Sequence, residues 1–128
     1  MDYFKLYNDY YGHPSGDTCL YKVAQILTAN IKRPADLVTR YGGEEFAIIL
    51  PNTSAQGAQQ VAQNIQQALA EINIPHAQSL VKDHVTLSMG IASMIPHPDF
   101  TYDDLIKAAD QALYAATGNG RNQYFVYN

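Results

Sequence analysis

The sequence is short of cysteine, of basic residues and of long apolar segments. Cys19 is the only cysteine, so the chain cannot form an internal disulfide. Its 8 basic residues stand against 12 acidic ones, and the net charge of −4 argues against binding nucleic acid through a broad basic surface. No stretch resembles a signal peptide or an apolar segment that could cross a bilayer. We therefore expect a cytoplasmic protein without direct membrane contact from this segment, or the cytoplasmic part of a larger, membrane-anchored protein.

The chain is long enough for one packed core and too short for two. It has 128 residues, of which 47% are hydrophobic, and a domain ordinarily takes about 100–150 residues. It contains no internal repeat, low-complexity tract or long linker. Residues 1–128 are therefore predicted to belong to a single domain.

Hydrophobic periodicity predicts an α/β fold. Apolar residues recur every three or four positions over about 16–31, 55–72 and 101–118, which predicts three helices. Ser54 and Thr101 are suitable N-caps for the second and third of them. The segment 37–50 predicts a β-hairpin with a Gly-Gly turn, and 85–91 and 123–127 predict two further strands. This order suggests a sheet covered by helices.

The first residues, MDYFKLYNDYYGHPSGD, are typical of a loop or a helix, and no strand precedes them. A sheet of this kind would normally begin with a strand. We therefore expect that the sequence has been cut inside its domain and lacks the first strand of its sheet.

Two adjacent carboxylates, Glu44 and Glu45, follow Gly42 and Gly43 and precede the apolar segment FAIIL. Glycines tolerate the positive φ of a tight turn, so hairpin geometry alone explains the Gly-Gly pair. Adjacent like charges beside a buried strand repel each other, and a hard divalent metal ion is the natural compensation. Solvated carboxylates on an ordinary turn fit the same pattern, so the residues by themselves leave both interpretations open.

The N-terminal segment contains polar residues whose hydrogen-bonding groups suit a guanine base. The carboxylate of Asp17 could accept from the N1 and N2 protons of guanine, and the amide of Asn8 could donate to an acceptor on the ring. Each residue also has a structural explanation. Asp17 suits the first turn of a helix, Asn8 suits a turn, and Lys5 suits an exposed surface.

Four segments taken together, DYFKLYNDYYGHPSGD, RYGGEEF, SMGIA and GRNQYF, closely resemble the GGDEF domain family of diguanylate cyclases, with Glu at the third position of the signature. The resemblance covers essentially the whole chain. It implies the palm-like α/β fold of nucleotidyl cyclases, in which helices flank a central sheet and the signature lies on a β-hairpin. It also implies a homodimer that binds one GTP in each domain and makes cyclic di-GMP with release of pyrophosphate.

The same resemblance implies roles for particular residues. Glu44 would bind Mg²⁺ or Mn²⁺, Glu45 would act as a further metal ligand or base, and the backbone carbonyl of Met1 would approach the metal. The residues implied in GTP binding are Asn8, Asp17, Lys5, Arg121, Gly42 and Gly43. Regulatory sensor domains would lie on the same chain, and no nucleic acid is expected as a partner.

Arg33 and Asp36 form an RxxD sequence that is separated from Gly42 by five residues. Many GGDEF domains carry an inhibitory site of this form that binds the product. An arginine fork suits the O6/N7 edge of guanine or a phosphate. The other interpretation is a local surface ion pair, which contributes little to stability.

The sequence departs from the family pattern in two places. The motif Asp-x-Asp-x-Phe-Lys lacks its leading Asp, a metal ligand of the family, because Met1 stands one residue after that position. Weak metal binding and exposed sheet edges are therefore expected. Thr117 stands where the family commonly has a lysine that contacts phosphate. The alternative to an active enzyme is a catalytically silent GGDEF module that acts as a receptor for GTP or cyclic di-GMP.

Overall fold

The computed structural model describes all 128 residues as a mixed fold of four helices and four strands. In chain order the elements are α1 (Phe4–Tyr11), α2 (His13–Ala29), β1 (Leu37–Gly42), β2 (Glu45–Ile49), α3 (Ala55–Ile72), β3 (Met89–Ile91), α4 (Tyr102–Gly118) and β4 (Tyr124–Val126). The three helices expected from periodicity are α2, α3 and α4, and the N-terminal segment adds the short helix α1. None of these helices is both long enough and apolar enough to span a membrane.

The helix starts follow the capping signals in the sequence. The Ser54 hydroxyl accepts a hydrogen bond from the Gly57 N–H at 3.1 Å, which caps α3. At α4 the Thr101 hydroxyl accepts from the Asp104 N–H at 3.2 Å, and the Asp104 carboxylate accepts from the Thr101 N–H at 2.9 Å. This reciprocal pair is a capping box, and its hydrogen bonds lower the pKa of Asp104. Both predicted N-caps are confirmed.

The strands form two small sheets. β1 and β2 are antiparallel, with Leu37 opposite Ile49 and Gly42 opposite Glu45, whereas β3 and β4 are parallel. The strand predicted over 85–91 is paired only from Met89 to Ile91. The prediction was too long because periodicity reports which side chains are buried, whereas a strand also needs a hydrogen-bonded neighbour along its length.

The first two residues lie between these sheets. The amino group of Met1 donates to the backbone carbonyl of Glu44 at 3.3 Å, on the hairpin side. The N–H of Asp2 donates to the carbonyl of Thr86 at 3.0 Å, on the other side. Residues 1 and 2 therefore connect the β1–β2 hairpin to the segment that leads into β3.

The main core lies under the sheets and is formed chiefly by helices α2 and α3. Its ten buried residues are Tyr7, Cys19, Val23, Ile26, Leu27, Ile65, Leu69, Ile74, Val85 and Leu87. Full burial of an aliphatic side chain stabilises a fold by about 1.5–3 kcal/mol. This core therefore fixes α1 and α2, which carry several predicted site residues, relative to the strands.

Candidate functional site

The tip of the β1–β2 hairpin presents the two glutamates. Gly42 pairs with Glu45, so Gly43 and Glu44 are the two central residues of the turn. The prediction of a turn centred on Gly42 and Gly43 was therefore wrong by one residue, because Glu45 already belongs to the β2 ladder. Gly43 has a φ of 50° and is the turn position that favours glycine. The Arg40 Nε donates to the Gly43 carbonyl at 2.8 Å and fixes the turn.

The carboxylates of the hairpin suit a metal ion that arrives with a nucleotide. Glu44 is half-buried and Glu45 is exposed. No cluster of three or more His, Cys, Asp or Glu side chains could hold a metal by itself. Mg²⁺ usually takes one or two protein carboxylates and completes its shell with water and substrate phosphates. The two glutamates fit this partial donor set, and a closed site made only of protein ligands is absent.

Met1 lies beside the same turn. Its amino nitrogen is 3.3 Å from the Glu44 carbonyl oxygen, so the structure brings two of the predicted metal-binding residues together through their backbones. Burial lowers the pKa of this amino group, although the nearby carboxylates of Asp2, Glu44 and Glu45 act in the opposite direction.

Asp2 is a buried carboxylate whose partners all belong to the protein. It is 6% exposed. It accepts hydrogen bonds from the hydroxyl of Ser88 at 2.6 Å, the hydroxyl of Thr86 at 2.8 Å and the N–H of Asn122 at 3.1 Å. These bonds indicate a structural role. Sequence reasoning gave Asp2 no role, although Thr86 and Ser88 on one face of the strand predicted over 85–91 were a signal of a polar partner.

The side-chain amide of Asn8 lies against α2, and its oxygen is unsatisfied. Its Oδ1 atom is buried and has no hydrogen-bond partner. It lies against Gly16, where an added Cβ would come within 1.7 Å of it. Buried polar atoms nearly always have partners, so this unpartnered oxygen is an exception. Asp17 is the next residue of α2, and its side chain is exposed. The structure therefore places the two predicted guanine-binding residues where α1 contacts α2.

Lys5 is separate from these groups. Its ammonium is 3.3 Å from the carboxylate of Asp9, one turn further along α1, and both side chains are exposed. No hydrogen bond or ion pair connects the Lys5 side chain to the hairpin or to Asn8. A role in phosphate binding would require this exposed ion pair to exchange its partner, which costs little.

Arg121 lies in the turn between α4 and β4. Its guanidinium carbon is 4.4 Å from the centre of the Tyr3 ring, and its Nη1 donates to the Tyr3 hydroxyl at 3.1 Å. The Thr117 hydroxyl donates to the Leu113 carbonyl at 3.0 Å within α4. Arg121 therefore has no cationic neighbour at the position where the family commonly has a lysine.

Arg33 and Asp36 form a forked ion pair before β1. The Arg33 Nε lies 3.1 and 3.0 Å from the two carboxylate oxygens of Asp36, and Nη2 lies 2.6 Å from one of them. The same Nη2 also donates to the Pro51 carbonyl at 2.7 Å and to the Thr53 hydroxyl. The bonds from Arg33 lower the pKa of the Asp36 carboxyl. The pair thus connects the loops that flank the hairpin, and Nη1 remains free.

Glu44 lies in the hairpin turn with Glu45 directly after it, the Asn8 Oδ1 is buried without a partner, and Arg121 takes part in no ion pair. Residues 1–123 match the family described as "Diguanylate cyclase, GGDEF domain", and the chain belongs to that family. The family expected from the sequence is thereby confirmed.

Two curated relatives illustrate the match. The chain is 40% identical over 128 residues to diguanylate cyclase A of Treponema denticola, covering 96% of this chain and 32% of that protein. It is 36% identical over 124 residues to response regulator PleD of Caulobacter vibrioides, covering 95% of this chain and 26% of that protein. The chain thus spans a third or less of the length of these relatives.

Solved structures show the same fold. The active GGEEF domain of a diguanylate cyclase from Vibrio cholerae matches with a TM-score of 0.83 at 38% identity, covering 99% of this chain and 78% of that chain. The GGDEF domain of DgcB from Caulobacter crescentus, solved in complex with c-di-GMP, matches with a TM-score of 0.85 at 31% identity. That match covers 98% of this chain and 72% of the other. The predicted palm-like α/β fold class is confirmed.

Proposed function

We propose that this domain is the catalytic domain of a diguanylate cyclase that converts two GTP into cyclic di-GMP and two pyrophosphates. The observation that carries the proposal is the position of Glu44 in the hairpin turn and of Glu45 at the start of β2, in a chain of the GGDEF family. The relatives named as diguanylate cyclases support the same activity. We place this activity in the cytoplasm, where GTP is available.

The chemistry is two successive phosphoryl transfers. The 3′-hydroxyl of one GTP gives its proton to a base, for which Glu45 is the candidate, and its oxygen attacks the α-phosphorus of the other GTP. A new O3′–P bond forms, and pyrophosphate leaves as the bond from the α-phosphorus to the bridging oxygen breaks. The second transfer closes the ring. Mg²⁺ or Mn²⁺, when bound, would neutralise the phosphates and lower the pKa of the attacking hydroxyl. The proposed ligands are the carboxylates of Glu44 and Glu45 and the backbone carbonyl of Met1.

The remaining site residues would bind GTP. Asn8 and Asp17 would bind the guanine edge: the amide of Asn8, whose Oδ1 has no partner in the protein, would donate to an acceptor on the ring, and the exposed carboxylate of Asp17 would accept from the N1 and N2 protons. Lys5 and Arg121 would bind phosphates. Gly42 and Gly43 have no side chain, and an added Cβ at either would meet nothing within 4 Å, so a nucleotide can approach this backbone closely.

Each domain would bind one GTP, so catalysis requires a homodimer, and regulatory sensor domains on the same chain would control its assembly. We also propose that residues 1–128 form one domain whose first strand lies upstream of Met1. That strand would pass between β2 and the segment 85–88. The hydrogen bonds from Met1 to Glu44 and from Asp2 to Thr86 already follow this line.

A second candidate function is a silent receptor that binds GTP or cyclic di-GMP without turnover. The observation that favours it is Thr117, whose hydroxyl bonds to its own helix and offers no charge to phosphate. In either function, Arg33 and Asp36 would form the product-binding site. A ligand there could bind the free Nη1 of Arg33, and engaging Nε or Nη2 as well would displace bonds to Asp36, Pro51 or Thr53.

A product assay separates these two functions. The chain, and a version extended upstream through the expected strand, are incubated with GTP and Mg²⁺, and the nucleotides are separated by chromatography. We expect the extended chain to form one cyclic di-GMP for every two pyrophosphates, with product inhibition that Arg33→Ala relieves. GTP binding without product, at concentrations where the chain is dimeric, would favour the receptor.

Gly16→Ala tests whether Asn8 binds the base. The new Cβ would come within 1.7 Å of the Asn8 Oδ1 and would turn the amide away from its present position. We expect the affinity for a non-hydrolysable GTP analogue to fall about tenfold, as for one lost hydrogen bond to a ligand. Stability should change little or rise slightly, because alanine is favoured over glycine in a helix by up to about 1 kcal/mol.

The matched control is Gly118→Ala at the end of α4, where an added Cβ would meet nothing within 4 Å. Isothermal titration gives the affinity, and thermal unfolding gives the stability. If Gly16→Ala binds the analogue as tightly as Gly118→Ala does, Asn8 does not contact the base.

A further inference from the structure

Tyr3 occupies a fixed and uncommon backbone position before α1. It has a φ of 53°, in the left-handed region that residues with side chains rarely adopt. Its carbonyl oxygen accepts a hydrogen bond from the His76 Nε2 at 3.1 Å and from the Tyr7 N–H at 3.0 Å. His76 is 1% exposed, so the group that holds this carbonyl is itself immobile in the core. A strained conformation that the surroundings enforce is characteristic of functional positions.

The guanidinium of Arg121 packs on the ring of Tyr3. The guanidinium carbon lies 4.4 Å from the ring centre, within the range of a cation–π contact, and Nη1 donates to the hydroxyl. The neighbouring backbone is held as well, because the Asp2 carboxylate accepts from the Asn122 N–H at 3.1 Å. Residues 2 and 3 thus fix both the backbone and the side chain of the turn at 121–122, where both residues have positive φ.

The contact with Tyr3 leaves the positive charge of Arg121 available to a ligand. None of the ion pairs includes Arg121, so no carboxylate competes with an incoming phosphate. Only Nη1 has a partner within the protein, and Nε and Nη2 are free to donate. A neutral aromatic ring therefore orders the guanidinium without neutralising it, which an acidic partner would not do.

We propose that Tyr3 is a positioning residue that holds Arg121 in place for the phosphates of GTP. The inference rests on the proposed function of the domain. Thr117 supplies no cation beside Arg121, and the other proposed phosphate ligand, Lys5, lies in an exposed ion pair on α1. The ordering of the Arg121 guanidinium before binding therefore matters more for the affinity of the triphosphate. An unsupported arginine samples many rotamers and would lose that freedom on binding, which weakens affinity.

A double-mutant cycle on the intact protein tests this role by binding. Dissociation constants are measured with Mg²⁺ for a non-hydrolysable GTP analogue and, separately, for guanosine, which has no phosphate. Tyr3→Leu should weaken binding of the analogue about tenfold, and Tyr3→Phe, which keeps the ring, about threefold. Guanosine affinity should stay the same in both variants. In an Arg121→Gln background, Tyr3→Leu should change analogue binding by less than about twofold.

The control is Tyr114→Leu, an 82% exposed tyrosine on α4 that should leave every constant unchanged. Equal losses with and without Arg121, or an equal loss for guanosine, would show that Tyr3 acts only on the fold and would overturn the inference. Absence of analogue binding by the unmodified protein would overturn the proposed function and this inference together. If Tyr3→Leu unfolds, the same cycle with Tyr3→Phe decides.

Discussion

Glu44→Gln is expected to reduce cyclic di-GMP formation by about 10³-fold and to leave the fold intact. A bound metal ion supplies several kcal/mol of charge stabilisation in the transition state, and each 1.4 kcal/mol is about tenfold in rate. Glutamine keeps the shape of the side chain and removes the charge that would hold the ion. No ion pair in the protein includes Glu44, and the amino group of Met1, on which its charge acts, keeps Asp2 and Glu45 nearby.

The matched control is Glu71→Gln on α3, an exposed glutamate that accepts only from Gln67 on its own helix. Initial rates of product formation are compared at a protein concentration that saturates dimerisation, and thermal unfolding confirms the fold. We expect Glu71→Gln to match the unmodified protein. Retention of more than about a tenth of the rate by Glu44→Gln would remove Glu44 from the metal site.

The hairpin also shows which parts of the fold could be predicted from local sequence. Apolar periodicity and the capping residues Ser54 and Thr101 predicted three helices, because both signals act within one or two turns of chain. The turn was misplaced by one residue, since the register depends on which partner Glu45 finds across the hairpin. The sequence did not decide whether the segment that forms α1 is a loop or a helix. This helix has only 8 residues and is followed closely by glycine and proline.

The contacts that organise the candidate site could not be predicted from the local sequence. Asp2 and Ser88 are 86 positions apart, and Tyr3 and Arg121 are 118 positions apart. Nothing in the local spacing of these residues indicates that they meet, because such pairs form only when the whole chain has packed. The resemblance to GGDEF domains identified residues that would contact the nucleotide. It gave no role to Asp2, Tyr3 or His76, which hold other residues in place through hydrogen bonds.

Gly90→Ala is expected to destabilise the domain by about 3 kcal/mol, at the upper end of the usual cost of overpacking. Gly90 lies in the middle of β3, where α4 crosses the strand. An added Cβ would come within 2.1 Å of the Ala109 carbonyl oxygen and 2.4 Å of the Leu113 nitrogen. Both atoms belong to the backbone of α4, so no side-chain rotation can relieve the clash. The helix must shift away from β3 and β4.

Chemical denaturation measures the free energy of unfolding of this variant against Gly118→Ala on α4, which meets nothing within 4 Å and should be close to neutral. A second variant tests the cause. Because the clash involves the main chain, Leu113→Ala combined with Gly90→Ala should not restore stability, although it removes most of the neighbouring side chain. Recovery in this double variant would mean that the crowding comes from the Leu113 side chain, and that α4 does not approach β3 as closely as its backbone positions indicate.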